Sequence, residues 1–151
     1  MENATMYEVL QLAIHLEEEG QKFYESYAEK ASGQVKDAFK GLALDELKHA
    51  RFFKSLYYDL KEKPGMDYLF EEEVEATFKE YAVSAALTRE TAKVETVKEA
   101  IEEAIVTEQR SIDYYEYLYK VALDETKETL KTIIDEEKKH KVVLEKLKLL
   151  V

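Results

Sequence analysis

Cysteine is missing from all 151 residues, which excludes disulfide staples, thiolate zinc sites, iron–sulfur clusters and cysteine nucleophiles. Proline occurs once and glycine four times, so little in the chain breaks or loosens a helix. Cationic residues are in deficit as well. The 22 Lys and Arg face 33 Asp and Glu, and a formal net charge of -11 argues against a nucleic-acid partner, whose phosphates need clustered cations. Long hydrophobic runs are also lacking, since no stretch approaches the roughly 18 apolar residues of a membrane span. The opening MENATMYEVLQLAIHLEEEG has neither the basic region nor the small-residue cleavage site of a secretory signal. A soluble, cytoplasmic protein with no membrane partner is expected.

What is present favours long helices: 46% of residues are hydrophobic and 36% charged, many of them Glu and Lys. The length suits one domain over residues 1–151. Thr5-Met6-Tyr7-Glu8 and Thr96-Val97-Lys98-Glu99 both read as capping boxes that open helices. Ser32-Gly33 separates a first helix from a second, Lys63-Pro64-Gly65 stops the second, and Asp124 is a candidate cap for a fourth. The helices are therefore expected over about 5–31, 33–62, 97–122 and 125–148. The short connections make two antiparallel pairs. The long one, 63–95, is expected to cross the length of the bundle, with a short helix around Val74–Ala82. The expected fold class is all-α.

The two halves repeat at an offset of 91 residues, which lays Ala13-Ile14 on Ala104-Ile105, Glu17 on Glu108, Tyr24 on Tyr115, Glu46 on Glu137 and His49 on His140. A duplicated helical hairpin packed against its copy about a pseudo-twofold axis explains the pattern.

In each helix a glutamate interrupts the apolar stripe that recurs every three or four residues: Glu17, Glu46, Glu108 and Glu137. Each lies 12 to 14 residues from its cap at Thr5, Ser32, Thr96 or Asp124, so all four meet near mid-helix. Four carboxylates in a low-dielectric core cannot all stay ionised unless cations sit among them. Glu46-x-x-His49 and Glu137-x-x-His140 add a histidine one turn along the same face. With 26 glutamates in the chain, two given histidines would both have Glu at this spacing by chance only about three times in a hundred. Two metal ions bound by these six residues is the expected chemistry. His15 has Leu12 at the corresponding position and reads as a surface or interfacial histidine.

This pattern resembles the ferritin-like di-iron carboxylate family, in which two helices each give a Glu and two others each give Glu-x-x-His. The rubrerythrin-like branch is suggested by Ala13-Ile14-x-x-Glu17-x-x-Gly20-x-x-Phe23-Tyr24 and its copy Ala104-Ile105-x-x-Glu108-x-x-Ser111-x-x-Tyr114-Tyr115. The resemblance implies a ferritin-like four-helix bundle with two iron ions, manganese or zinc being alternatives. It implies that Glu17 and Glu108 are terminal ligands, that Glu46 and Glu137 bridge, and that each histidine completes one coordination sphere. It further implies that Asp45 orients His140 and that Glu136 orients His49. Tyr24 and Tyr115 lie two turns from Glu17 and Glu108, within reach of the centre, with core packing as their main expected role.

Two departures bear on activity. Full-length rubrerythrins carry a four-cysteine rubredoxin domain, absent here, and a further glutamate where this chain has Ile105. An oxidoreductase acting on H2O2 or O2 would thus draw on an external electron donor. The alternatives are iron sequestration with ferroxidase activity and a structural, metal-stabilised bundle. Only 11 residues follow His140, too few for the fifth helix of classical ferritin cages, and a homodimer is the expected assembly.

Overall fold

The computed structural model describes residues 6–62, 94–122 and 124–151, and among these it contains four long helices and no strand. They are α1 (Met6–Lys30), α2 (Gly33–Glu62), α3 (Val97–Val121) and α4 (Asp124–Lys148). No helix among the described residues is long and apolar enough to cross a membrane.

The helix ends follow local chemistry. Thr96 sits in extended backbone, φ -120°, ψ 159°, and its hydroxyl accepts the Glu99 amide at 3.1 Å, which satisfies one orphan donor of α3. Between α1 and α2, Gly33 takes φ +58°, the left-handed region that costs a glycine little. Asp124 differs from expectation: it is the first residue of α4, where its charge faces the positive end of the helix dipole. The Thr5 box and the 63–95 crossover, with its short helix, fall on residues outside those described, apart from 94–95.

Two apolar clusters fill the bundle, one at each end. The first gathers Leu10 and Leu16 of α1, Phe53 of α2, Ile112 and Leu118 of α3, and Leu130 and Ile134 of α4. The second gathers Tyr24 and Ala28 of α1, Phe39 and Leu42 of α2, Ile101 of α3, and Leu144 and Leu147 of α4. Residue order therefore gives the direction of every helix: α1 and α4 run from the first cluster to the second, and α2 and α3 run the other way. The end of α2 and the start of α3 consequently lie at opposite ends of the bundle. Each hairpin packs antiparallel, and the layer between the clusters falls at the middle of all four helices.

Candidate metal centre

That middle layer holds the six polar residues singled out from the sequence. Glu17, Glu46, Glu108, Glu137, His49 and His140 are all buried, none more than 4% exposed. Glu17, Glu46, His49 and Glu137 each turn one ligand atom into a group whose members all lie within 4.8 Å of one another. Glu46, Glu108, Glu137 and His140 form a second such group. Glu46 and Glu137 belong to both, so two ions would share them and each would keep one glutamate and one imidazole of its own.

The contacts around these groups obey the same twofold relation. Tyr24 donates its hydroxyl to Glu108 Oε1 at 2.6 Å, and Tyr115 donates to Glu17 Oε1 at 2.6 Å. Both tyrosines are fully buried, so they fill the core and at the same time bind carboxylates on the facing helix. His140 Nε2 meets Asp45 Oδ2 at 3.0 Å, and His49 Nε2 meets the Glu136 carboxylate. Each outer ring nitrogen is engaged by a half-exposed acid, which leaves Nδ1 facing the centre. His49 Nδ1 lies 2.9 Å from Glu137 Oε1, and His140 Nδ1 lies 3.4 Å from Glu137 Oε2. The two rings stack with centroids 6.0 Å apart. An imidazole fixed at one nitrogen by a carboxylate presents the other in a set direction, the arrangement that metal-binding histidines use.

Burial drives the electrostatics. It raises Glu46 well above the ordinary 4.5, with the charges of Glu17 and Glu108 adding to the effect. Glu137 is pushed up to about 8 by burial and by the charges of Glu108 and Glu46. Burial also raises Glu17, with the Glu137 charge adding to it. Glu108 goes the other way: burial would raise it, but the closeness of Glu137 and His140 and the hydrogen bond from Tyr24 outweigh burial and hold it well below the carboxylate range. Burial would likewise lower His49, yet Glu137 and Glu17 carry it up to about 12. His140 is raised well above 6.5 by Glu108, Glu137 and Glu46 against the same burial effect. With no metal bound, protons on the histidines and on some of the carboxylates would supply the positive charge that four buried acids require.

The donor set fits a pair of divalent ions. Glu17 Oε2, Glu108 Oε2, Glu137 Oε2 and His140 Nδ1 turn into this layer buried and without a well-formed hydrogen bond, the 3.4 Å approach of His140 Nδ1 to Glu137 Oε2 being a charge contact of poor hydrogen-bond geometry. Unsatisfied buried carboxylate oxygens are costly, and coordination would satisfy them. Oxygen and imidazole nitrogen suit iron, manganese or zinc.

His15 lies apart from this layer and is half-buried in a cleft with Gln11, Ile14, Glu18, Lys54, Tyr57 and Tyr58. Ile105 packs against the second cluster, so no carboxylate approaches from that position. Tyr114, which the sequence gives only as a member of the repeated motif and without a role, is buried beside Tyr115 and donates to the Val9 carbonyl at 3.2 Å. The signal was present in the repeat, since the offset of 91 pairs Tyr114 with Phe23, an exchange of aromatic for phenol.

Four antiparallel-paired helices around a buried layer of four glutamates and two histidines define a ferritin-like diiron-carboxylate fold. The sequence matches the rubrerythrin family over residues 8–148, and the chain belongs to that family. Among solved structures it is similar to a candidate ferritin-like diiron-carboxylate protein of Thermotoga maritima. The two are 30% identical, the match covers 98% of this chain and 97% of that one, and the TM-score is 0.70. No curated protein matches the sequence.

Proposed function

We propose that this chain is a di-iron oxidoreductase that reduces H2O2, or O2, at a centre held by Glu17, Glu46, His49, Glu108, Glu137 and His140. The observation that carries the proposal is the pair of four-residue donor groups sharing Glu46 and Glu137, with their unpartnered inward oxygens. Iron bound there would supply the electrons for reduction, one from each of two ions. The protein's own contribution is positional. Tyr24 and Tyr115 fix the carboxylates of Glu108 and Glu17, Asp45 and Glu136 fix the imidazoles, and the two apolar clusters close the layer at either end of the bundle.

The chain has no cysteine to carry a rubredoxin-type cluster, so the electrons that restore the reduced state come from a separate donor. A homodimer in the cytoplasm, each subunit a single domain over 1–151, is the setting that goes with this reading. Anaerobic protein loaded with Fe(II) and mixed with H2O2 in a stopped-flow instrument should oxidise two irons per peroxide consumed. Absence of reaction with either peroxide or O2 would refute the enzymatic assignment. Oxidation by O2 followed by iron uptake beyond two ions per chain would favour sequestration instead.

A further inference from the structure

The outward ridge of α2 runs Gln34, Asp37, Gly41, Leu44, Lys48 and Arg51, and all of these are exposed. Their spacing alternates three and four residues, the period with which one helix meets another along a seam. A single exposed leucine needs no explanation, but two features of this ridge do. Leu44 is 60% exposed beside a groove of about 410 Å³ that runs between α2 and α4, with Ala38, Gly41 and Val143 in its lining. Gly41 lies inside the helix, where glycine is less stable than alanine, and a Cβ added there meets nothing within 4 Å. Among the described residues, therefore, nothing in the chain itself asks for glycine at this position.

The repeat supplies a comparison. At the offset of 91 residues α4 keeps charges of the ridge, with Glu128 for Asp37 and Lys139 for Lys48, but carries Thr132 and Asp135 in place of Gly41 and Leu44. The apolar contact point is thus specific to α2. The charge of α2 also suits it to meet its own kind. A net charge of -11 drives copies of the chain apart, yet α2 carries 5 acidic and 6 basic residues. Neither Asp37 nor Lys48 makes an ion pair among the described residues, so both are free to pair across a contact.

We propose that two copies of this chain pair through the α2 ridge, antiparallel about a twofold axis that passes between Gly41 and Leu44. A twofold contact is self-complementary, so each residue finds its complement on the same helix read backwards. About this axis Leu44 comes level with Gly41 of the partner subunit, Asp37 with Lys48 of the partner subunit, and Gln34 with Arg51 of the partner subunit. The missing side chain at Gly41 lets the helices approach closely where the two leucines seat, and the two Asp–Lys pairs flank them. The same construction on α4 would set Asp135 level with Thr132 and bring no apolar side chain to the axis. The proposal gives a definite face to the homodimer of the reading above, and it does not depend on the chemistry of the centre.

Sedimentation of the full chain over a range of concentrations measures the pairing. Wild type should sediment at twice the chain mass. Leu44→Asp, which copies α4, should raise the dissociation constant on the order of a hundredfold, because each pair contains the change twice. Lys48→Asp should weaken pairing about tenfold by setting two acids level, and Asp37→Lys combined with Lys48→Asp should restore it. The chain has no cysteine, so Leu44→Cys carries a lone thiol that should form a disulfide with its twin across the axis, whereas Asp135→Cys should not. Circular dichroism should give wild-type helix content for every variant, since each of these positions is exposed, and this separates loss of pairing from loss of fold. Gly41 itself is not the probe, because substitution there also changes helix propensity within one chain. A monomer at every concentration would overturn the pairing and leave the ridge to a different partner. A dimer that Leu44→Asp does not weaken, or that the charge exchange does not restore, would put the interface on another face and overturn it equally.

Discussion

At Glu137 two candidate metal positions, one buried helix face and a strongly weakened acidity meet in a single side chain. Its carboxyl is pushed up to about 8 and the His49 imidazole up to about 12, against ordinary values of 4.5 and 6.5. Both shifts are upward, so the folded metal-free protein holds protons that the unfolded chain releases, and stability falls as pH rises. The Glu137 contribution is complete below 4.5 and is lost as pH climbs through about 8. The His49 contribution is complete below 6.5 and is lost as pH climbs through about 12. Melting temperatures of chelated protein should therefore decline between about pH 5 and about pH 9, and a rise over that range would contradict the proton inventory. Metal must displace the same protons, so the stabilisation it brings should grow with pH, which melting of loaded samples would show. At about a hundredfold excess of metal over Kd the gain is about 2.7 kcal/mol. Glu137→Ala should lose most of it and His15→Ala none, as read by the metal-induced shift in melting temperature. Glutamates were legible at this scale because a charge in an apolar stripe is conspicuous. The tyrosine hydroxyls were less so, since eleven tyrosines share the chain and only the facing helix shows which of them meets a carboxylate.

Helix boundaries were readable to within two residues because capping and turn chemistry is local. Thr96 caps α3 as its spacing with Glu99 implies, and Ser32-Gly33 breaks α1 from α2. Asp124 was assigned one position too early because an acid suits both the cap and the first turn, and sequence alone does not separate the two. Two glycines of α2 offer opposite tests. An added Cβ meets nothing within 4 Å at either Gly33 or Gly41, so backbone conformation alone decides the outcome. Gly33→Ala forces a side chain into φ +58° and should cost about 1 kcal/mol. Gly41→Ala, in the helix interior, should instead stabilise by roughly 0.5–1 kcal/mol. Thermal melts at fixed pH would show shifts of opposite sign, each of roughly 2–4 °C per kcal/mol.

On the scale of the whole molecule, charge is divided between helices. α1 and α3 carry 12 acidic against 5 basic residues, whereas α2 and α4 carry 12 against 13. The net charge hid this division, because a total does not say where in the bundle each sign lies. The offset of 91 did survive into three dimensions: it relates Tyr24–Glu108 to Tyr115–Glu17 and Asp45–His140 to Glu136–His49. Those pairings were inferable because a duplicated hairpin that packs against its copy must place equivalent side chains on opposite sides of one axis. Everything proposed about chemistry depends on one quantity, the number of metal ions the central layer takes up. Anaerobic equilibrium titration with Fe(II), monitored by bound metal per chain, should give two for wild type and fewer for Glu137→Ala, whose carboxylate belongs to both donor groups. One ion or none in wild type, or an unchanged count in Glu137→Ala, would contradict the di-metal centre.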